Sequence, residues 1–212
     1  MTDDLIARLA HDLKPVSSHA VAAHIASALA IGLVVSAGLM LVMLGARPNL
    51  AEELGSSSFI LKVSYTLALG SLGLWATSRM ARPGEDGRLA LSIVPAVVGL
   101  IAIAALIGYA NAASETRHQI VFGSSALVCP IYILALSIPL LISIIVVMRR
   151  MASTRPQLAG FSAGLMAGGL GALVYSFHCP EPGVPFVALW YSSGILGTAL
   201  VGTALGGRYL RW

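Results

Sequence analysis

Cys129 and Cys179 are the only two cysteines in the chain, and each is followed by a proline, Pro130 and Pro180. Two thiols can be joined as a disulfide or can share a soft cation, and both reactions constrain the distance between the segments that carry them. A reducing cytoplasm keeps thiols free, so the chemistry open to the pair depends on the compartment it faces. His178 adjoins Cys179, Glu181 follows two residues later, and His118 precedes Cys129. Cys, Cys and His form a donor set for a soft or borderline metal, although the spacing is not that of a zinc finger. Three readings stay open: a permanent disulfide, a regulated thiol pair that meets oxidants or thiophilic metals, and a closed structural metal site. His178 and His118 are the candidate auxiliary ligands, weighed against His178 as an interfacial polar residue. Met40 and Met43 are soft donors that apolar packing also explains. No obligatory cofactor is expected, only a transient thiophilic or divalent metal ion at the pair.

The elements that must position these residues are apolar. Hydrophobic residues make up 57% of the 212 residues and charged residues 10%, far below the roughly 25% charged content of a soluble domain. Six stretches approach the roughly 20 residues that cross a bilayer as a helix. They run at about Ile25–Gly45, Phe59–Ser78, Leu89–Ala110, Ile131–Met148, Leu158–Phe177 and Phe186–Gly206. They are too long for barrel strands and lack the alternation of period two. The expected fold is all-α: a polytopic membrane protein of six transmembrane helices (residues 25–212) behind a cytoplasmic segment (residues 1–24). The polar start and the lack of an A-x-A cleavage pattern make the first stretch an uncleaved signal-anchor.

The charges set the orientation. Arg8, Lys14, Arg79, Arg82, Arg88, Arg149, Arg150, Arg155, Arg208 and Arg211 fall on one side of the six stretches. Arg47 and Arg117 fall on the other, with Lys62 near that edge and within reach of it by snorkelling. The positive-inside rule then puts both termini in the cytoplasm and both cysteines on the outer rim. Arginines spread over short loops fit orientation better than nucleic-acid binding. Tyr209 and Trp212 would anchor the inner end of the last stretch.

Within residues 1–24, Thr2 to Lys14 reads as a short amphipathic helix stopped by Pro15. Thr2 can cap it, and Asp3 and Asp4 suit its positive end. Leu5, Ile6, Leu9 and Leu13 share one face. Three Asp outweigh Arg8 and Lys14, so the segment has no electrostatic attraction to anionic lipid. A groove on a soluble partner, this protein's own cytoplasmic loops and the lipid surface all stay open as the receiving surface.

Small residues recur every four positions at Gly160, Gly164 and Gly168, and again at Gly202 and Gly206. This spacing lets helix backbones approach, within the chain or across a homodimer. All nine acidic residues lie outside the apolar stretches, whereas a proton-coupled carrier keeps ionisable groups at mid-membrane. No nucleotide or hydrolase motif is present, so an enzyme is not expected.

The start Thr2-Asp3-Asp4-Leu5-Ile6 resembles the NrsF family of six-span membrane anti-sigma factors. So does the block Tyr175-Ser-Phe-His-Cys179-Pro-Glu-x-x-x-Pro185-Phe-x-Ala-x-Trp190-Tyr191, and so does the Gly207-Arg-x-Leu-Arg-Trp212 end. The resemblance covers essentially the whole chain. It implies a bacterial inner-membrane protein that holds an extracytoplasmic-function sigma factor inactive through the N-terminal segment and other cytoplasmic surfaces. It also implies release of the sigma factor when Cys129 and Cys179 meet heavy metal or oxidant. The alternatives are a small permease or efflux protein for a metal or apolar solute, and a structural subunit of a membrane complex.

Overall fold

The computed structural model describes residues 20–82, 84–151 and 153–211. The six apolar stretches are helices, each long and apolar enough to cross a membrane. They are α1 (Ala20–Met43), α3 (Ser57–Met80), α4 (Arg88–Asn111), α6 (Cys129–Met148), α7 (Pro156–Ser176) and α8 (Val184–Tyr209). Two short helices, α2 (Leu50–Glu53) and α5 (Arg117–Phe122), lie in the loops at the end of the bundle that carries Cys179. This is called the thiol end below. The opposite end carries Arg79, Arg88, Arg149, Arg155 and Arg208 and is called the arginine end. The helix starts and stops fall within a few residues of the sequence expectations; α1 begins at Ala20, ahead of the expected Ile25. The amphipathic helix expected over Thr2–Lys14, with Leu5, Ile6, Leu9 and Leu13, lies outside the described residues.

The bundle is built around α7. Helices α3, α6 and α8 pack directly on it, α1 lies outside against α6, and α4 lies outside against α3. The reason is steric. A Cβ placed on Gly160 or Gly164 would enter the backbone of α8 at Gly202, Gly206, Thr198 and Ala199. On the opposite face, a Cβ on Gly169 would enter α3 at Gly70, and one on Gly73 would enter α7 at Met166. Of the two uses left open for the small-residue spacing, the glycines of α7 serve the one within the chain, where α8 fills their face. Helices α1 and α4 instead present Ile31, Val34, Val42, Leu100 and Leu106 outward, as lipid-facing helices do.

Hydroxyls buried in the bundle bond within it. Ser36 donates to the Leu136 carbonyl, Ser137 to Ile133, Ser176 to Ala172 and Thr198 to Gly194, while Thr77 meets Ser162. In hydrocarbon an unpaired hydroxyl is costly, and each of these uses a backbone or hydroxyl partner close by.

At the arginine end, Glu85 pairs with Arg79 (3.0 Å) and Arg82 (3.5 Å), and Asp86 lies 3.6 Å from both Arg88 and Arg155. These pairs tie the α3–α4 turn to the start of α7. Beside them a groove of about 620 Å³ is lined by Arg88, Arg155, Leu158, Phe161, Thr203 and Arg211.

Candidate thiol site

Cys129 sits in the first turn of α6, where Pro130 suits a position whose N–H has no helical partner. Cys179 follows the last turn of α7, its amide donating to the Tyr175 carbonyl at 3.0 Å. Pro180 and Pro182 then keep the chain out of helix until α8 begins at Val184. Both thiols are free and wholly buried. They belong to one core cluster with Ile133, Tyr175, Phe186 and Tyr191, and each is within electrostatic reach of the other. The two sulfurs that sequence spacing left 50 residues apart therefore share a site. It lies beneath the surface of the thiol end, not on an open rim.

The turn 177–183 collects contacts from three other segments. His178 Nδ1 donates to the Gly45 carbonyl at 2.9 Å, and the Arg47 amide donates to the Phe177 carbonyl at 3.2 Å. Glu181 Oε1 accepts from the amide and the hydroxyl of Ser124, both at 2.7 Å. Lys62 Nζ, from α3, donates to the Cys179 carbonyl at 3.2 Å.

Lys62 departs from the expectation of a snorkelling edge residue. It is 2% exposed, because the turn 177–183 folds across the end of α3 and supplies the acceptor that water would otherwise provide. An ammonium moves to the surface only when no internal acceptor holds it.

Aromatic residues at the thiol end are partly drawn inward. In α8 the residues Val187–Tyr191 form a π-turn, whose extra residue changes the direction of the side chains that follow it. Trp190 donates its Nε1–H to the Val121 carbonyl at 2.9 Å, fastening α5 to α8. Tyr191 becomes wholly buried beside Cys179 and Ser176, and its hydroxyl makes no hydrogen bond of good geometry.

The histidines do not join the thiols. His178 uses Nδ1 on Gly45, and His118 is exposed and stacks on Phe122 with ring centroids 4.8 Å apart. Among the described residues no group of three or more His, Cys, Asp or Glu lies close enough to hold a metal ion. The pair by itself offers two sulfurs, a donor set for a soft cation. Met40 lies in the same core cluster as the cysteines, while Met43 faces outward. Sequence reasoning noted Glu181 beside Cys179 without giving it a role, and missed Lys62 and Tyr191 as parts of this site. A charge within an apolar stretch was the available signal for Lys62, since such residues default to functional roles.

The class is an all-helical protein with six helices long and apolar enough to cross a membrane, packed through glycine and carrying two buried thiols at the arginine-poor end. Residues 9–212 match the family NrsF, described as negative regulator of sigma F. A probable anti-sigma-F factor NrsF from Azospira oryzae is 38% identical over 216 residues, covering 100% of this chain and 99% of that protein. An anti-sigma-F factor NrsF from Caulobacter vibrioides is 38% identical over 212 residues, again with 100% and 99% coverage. The chain belongs to the NrsF family. No solved structure matches it.

Proposed function

We propose that this protein is a membrane-embedded anti-sigma factor of the bacterial inner membrane that sequesters an extracytoplasmic-function sigma factor and releases it when Cys129 and Cys179 react. Family membership carries the anti-sigma reading: two full-length relatives are named as anti-sigma-F factors. Arginine asymmetry supports an orientation with both termini and the arginine end in the cytoplasm and the thiol end outside.

The inducer is a thiophilic divalent cation or an oxidant. A soft divalent cation taken by both sulfurs displaces two protons. A peroxide takes two electrons from the pair, so the S–S bond forms as the O–O bond breaks, and the thiol protons leave in water. Either product holds the start of α6 to the end of α7. The signal must favour the releasing state over the binding state, and a complete reversal of a 1:99 balance needs about 5.5 kcal/mol of differential free energy.

The sigma factor meets the cytoplasmic side, through Leu5, Ile6, Leu9 and Leu13 and the arginine-lined groove beside Arg155. A permease reading finds little support, because the buried hydroxyls of Ser36, Ser137 and Thr198 are taken up by backbone carbonyls.

The test replaces both cysteines with serine in the full chain and follows sigma-dependent transcription in cells given a cadmium salt or hydrogen peroxide. The expected result is a protein that inserts normally but no longer changes sigma activity on treatment. A double variant that answers both inducers as the natural chain does would overturn the sensing role while leaving the anti-sigma role intact.

A further inference from the structure

We infer that Lys62 is the positioning residue that carries the state of the thiol pair into the helical bundle: its ammonium is held down by the Cys179 carbonyl and set free when Cys179 reacts. The inference rests on the thiol-sensing reading above.

Lys62 is a charge in the wrong place for a structural residue. The other charged residues of the six long helices, Arg79, Arg88 and Arg208, stand at helix ends. Lys62 lies a turn inside α3 and is 2% exposed. An ammonium has three donors, yet the bond to the Cys179 carbonyl is the one hydrogen bond its Nζ makes among the described residues. A buried cation with one acceptor depends on that acceptor, and removing it leaves an uncompensated charge, which is strongly destabilising.

The acceptor belongs to the residue that reacts. Helices α3 and α6 meet α7 at Gly169 and Gly171, positions on different faces of it, and Cys179 beyond the end of α7 is held to Lys62 by its carbonyl and shares the core cluster with Cys129. Joining Cys179 to Cys129 draws the Cys179 backbone toward α6 and its carbonyl away from α3. The joining step is the balanced one already given, with either the cation displacing two protons or the peroxide reduced to water. The released ammonium then has one inexpensive resting place, the aqueous edge it can reach by snorkelling. The snorkelled position is the second state of a residue that the structure holds in its first.

Among the described residues Lys62 is the turn's one hydrogen-bond partner on α3, a helix that Phe177 also meets through the ring of Phe59. Gly45, Arg47 and Ser124 all lie in loops at the thiol end. Lys62 is on a spanning helix, and from Lys62 to Met80 an α-helix rises about 27 Å. The glycine contacts at Gly70 and Gly73 couple α3 closely to α7. Its far end carries Thr77 on Ser162 and the Arg79 and Arg82 pairs with Glu85. Movement of α3 at Lys62 is therefore delivered to the arginine end, where the sigma factor would be held.

The chain has two lysines, Lys14 and Lys62, so an amine-acylating reagent that cannot cross the membrane reads Lys62 alone from outside. Lys14, before the first span, reports leakage. Intact cells are labelled before and after a cadmium salt or hydrogen peroxide, and both thiols and Lys62 are followed by mass spectrometry. Lys62 is expected to be protected at rest and to label severalfold faster once the thiols are modified. No rise is expected when Cys129 and Cys179 are both serine. Lys62→Met is expected to keep thiol modification while losing induced release, and Lys62→Arg to restore part of it. Modified thiols with unchanged Lys62 labelling would overturn the inference and leave thiol sensing standing, as would normal induction in Lys62→Met. Failure of the inducers to modify the thiols would overturn the sensing reading and this inference with it.

Discussion

The carboxylate of Glu181 accepts hydrogen bonds from the amide and the hydroxyl of Ser124, and so joins the segment leading into Cys129 to the segment leaving Cys179. Ser125 extends the same clamp, with its hydroxyl 3.4 Å from Glu181 Oε1 and its carbonyl accepting the Cys129 amide at 2.9 Å. Charge-assisted bonds of this kind are shorter and stronger than neutral ones. Gly123 turns the chain into the clamp at φ 51°, where a side chain would be strained and would also collide with the Glu181 carboxylate. From this place the Glu181 clamp is expected to do two things: to cover the thiols and to keep them oriented toward one another.

Those two roles separate in Glu181→Ala. Opening the cover is expected to speed alkylation of each thiol by a small neutral reagent severalfold. Losing the orientation is expected to slow the joining of Cys129 to Cys179, because the advantage of holding two reactants together is lost. Alkylation rates and the yield of the intramolecular disulfide are measured on the same membranes. A variant in which both rates move in the same direction would contradict the double role.

Tyr191 supplies a second prediction. Its hydroxyl is buried beside Cys179 and Ser176 without a hydrogen bond of good geometry, and leaving such a group unsatisfied costs about 1–3 kcal/mol. Tyr191→Phe removes that cost, so the variant is expected to denature in detergent at the same temperature as the natural chain or higher. The hydroxyl lies beside Cys179, where it can donate to the sulfur as that sulfur gains negative charge. Loss of the donor is expected to slow the reaction of Cys179 severalfold. Earlier denaturation with an unchanged thiol rate would make Tyr191 an ordinary packing residue.

The division between what the sequence discloses and what it hides follows from the range of each interaction. The helices are legible because a bilayer demands about 20 apolar residues in an unbroken run. The glycine contacts between α7 and α8 are legible because spacing of four places small residues on one helical face. The nearness of Cys129 and Cys179 follows from antiparallel neighbours beginning and ending at the same side. The depth of Lys62 is not legible. It depends on a turn 117 residues later folding over α3, and position along a helix cannot reveal that cover. The burial of Tyr191 is not legible either, because its direction is set by a π-turn whose extra residue shifts the 3.6-residue frame of the helix. The Glu181 clamp is hidden for a similar reason, since a loop acid carries no periodicity at all.

The packing at α7 gives a third prediction. In Gly164→Val the new side chain would meet the Thr198 carbonyl and the Cα of Ala199, and two backbones in contact cannot yield without separating the helices. Overpacking commonly costs about 1–3 kcal/mol, and a site walled by backbone belongs at or above the upper end. Less protein in the membrane and a lower denaturation temperature in detergent are expected. Gly99→Ala is the control. Nothing lies within 4 Å of the added Cβ, and a helical glycine replaced by alanine gains up to about 1 kcal/mol. Equal behaviour of the two variants would mean that the contact between α7 and α8 does not set the stability of the bundle.

The last prediction concerns the residues that would hold the sigma factor. Leu5, Leu9 and Leu13 fall at i, i+4 and i+8, the spacing by which a helix lays one face into a groove. Each leucine fully buried on binding is worth about 1.5–3 kcal/mol. Losing two of the three anchors therefore weakens the complex by at least about a hundredfold, since each 1.4 kcal/mol is a factor of ten. Changing all three to Asp adds the penalty of carrying charge into an apolar groove. The triple variant is expected to raise sigma-dependent transcription without an inducer, while the protein still accumulates in the membrane. Co-purification of the sigma factor with the solubilised chain measures the binding directly. Undiminished recovery of the sigma factor with the triple variant would move the binding surface to the arginine end, where Arg88, Arg155 and Arg211 line the open groove. Reversing the charge of Arg155 would then be the change that frees the partner.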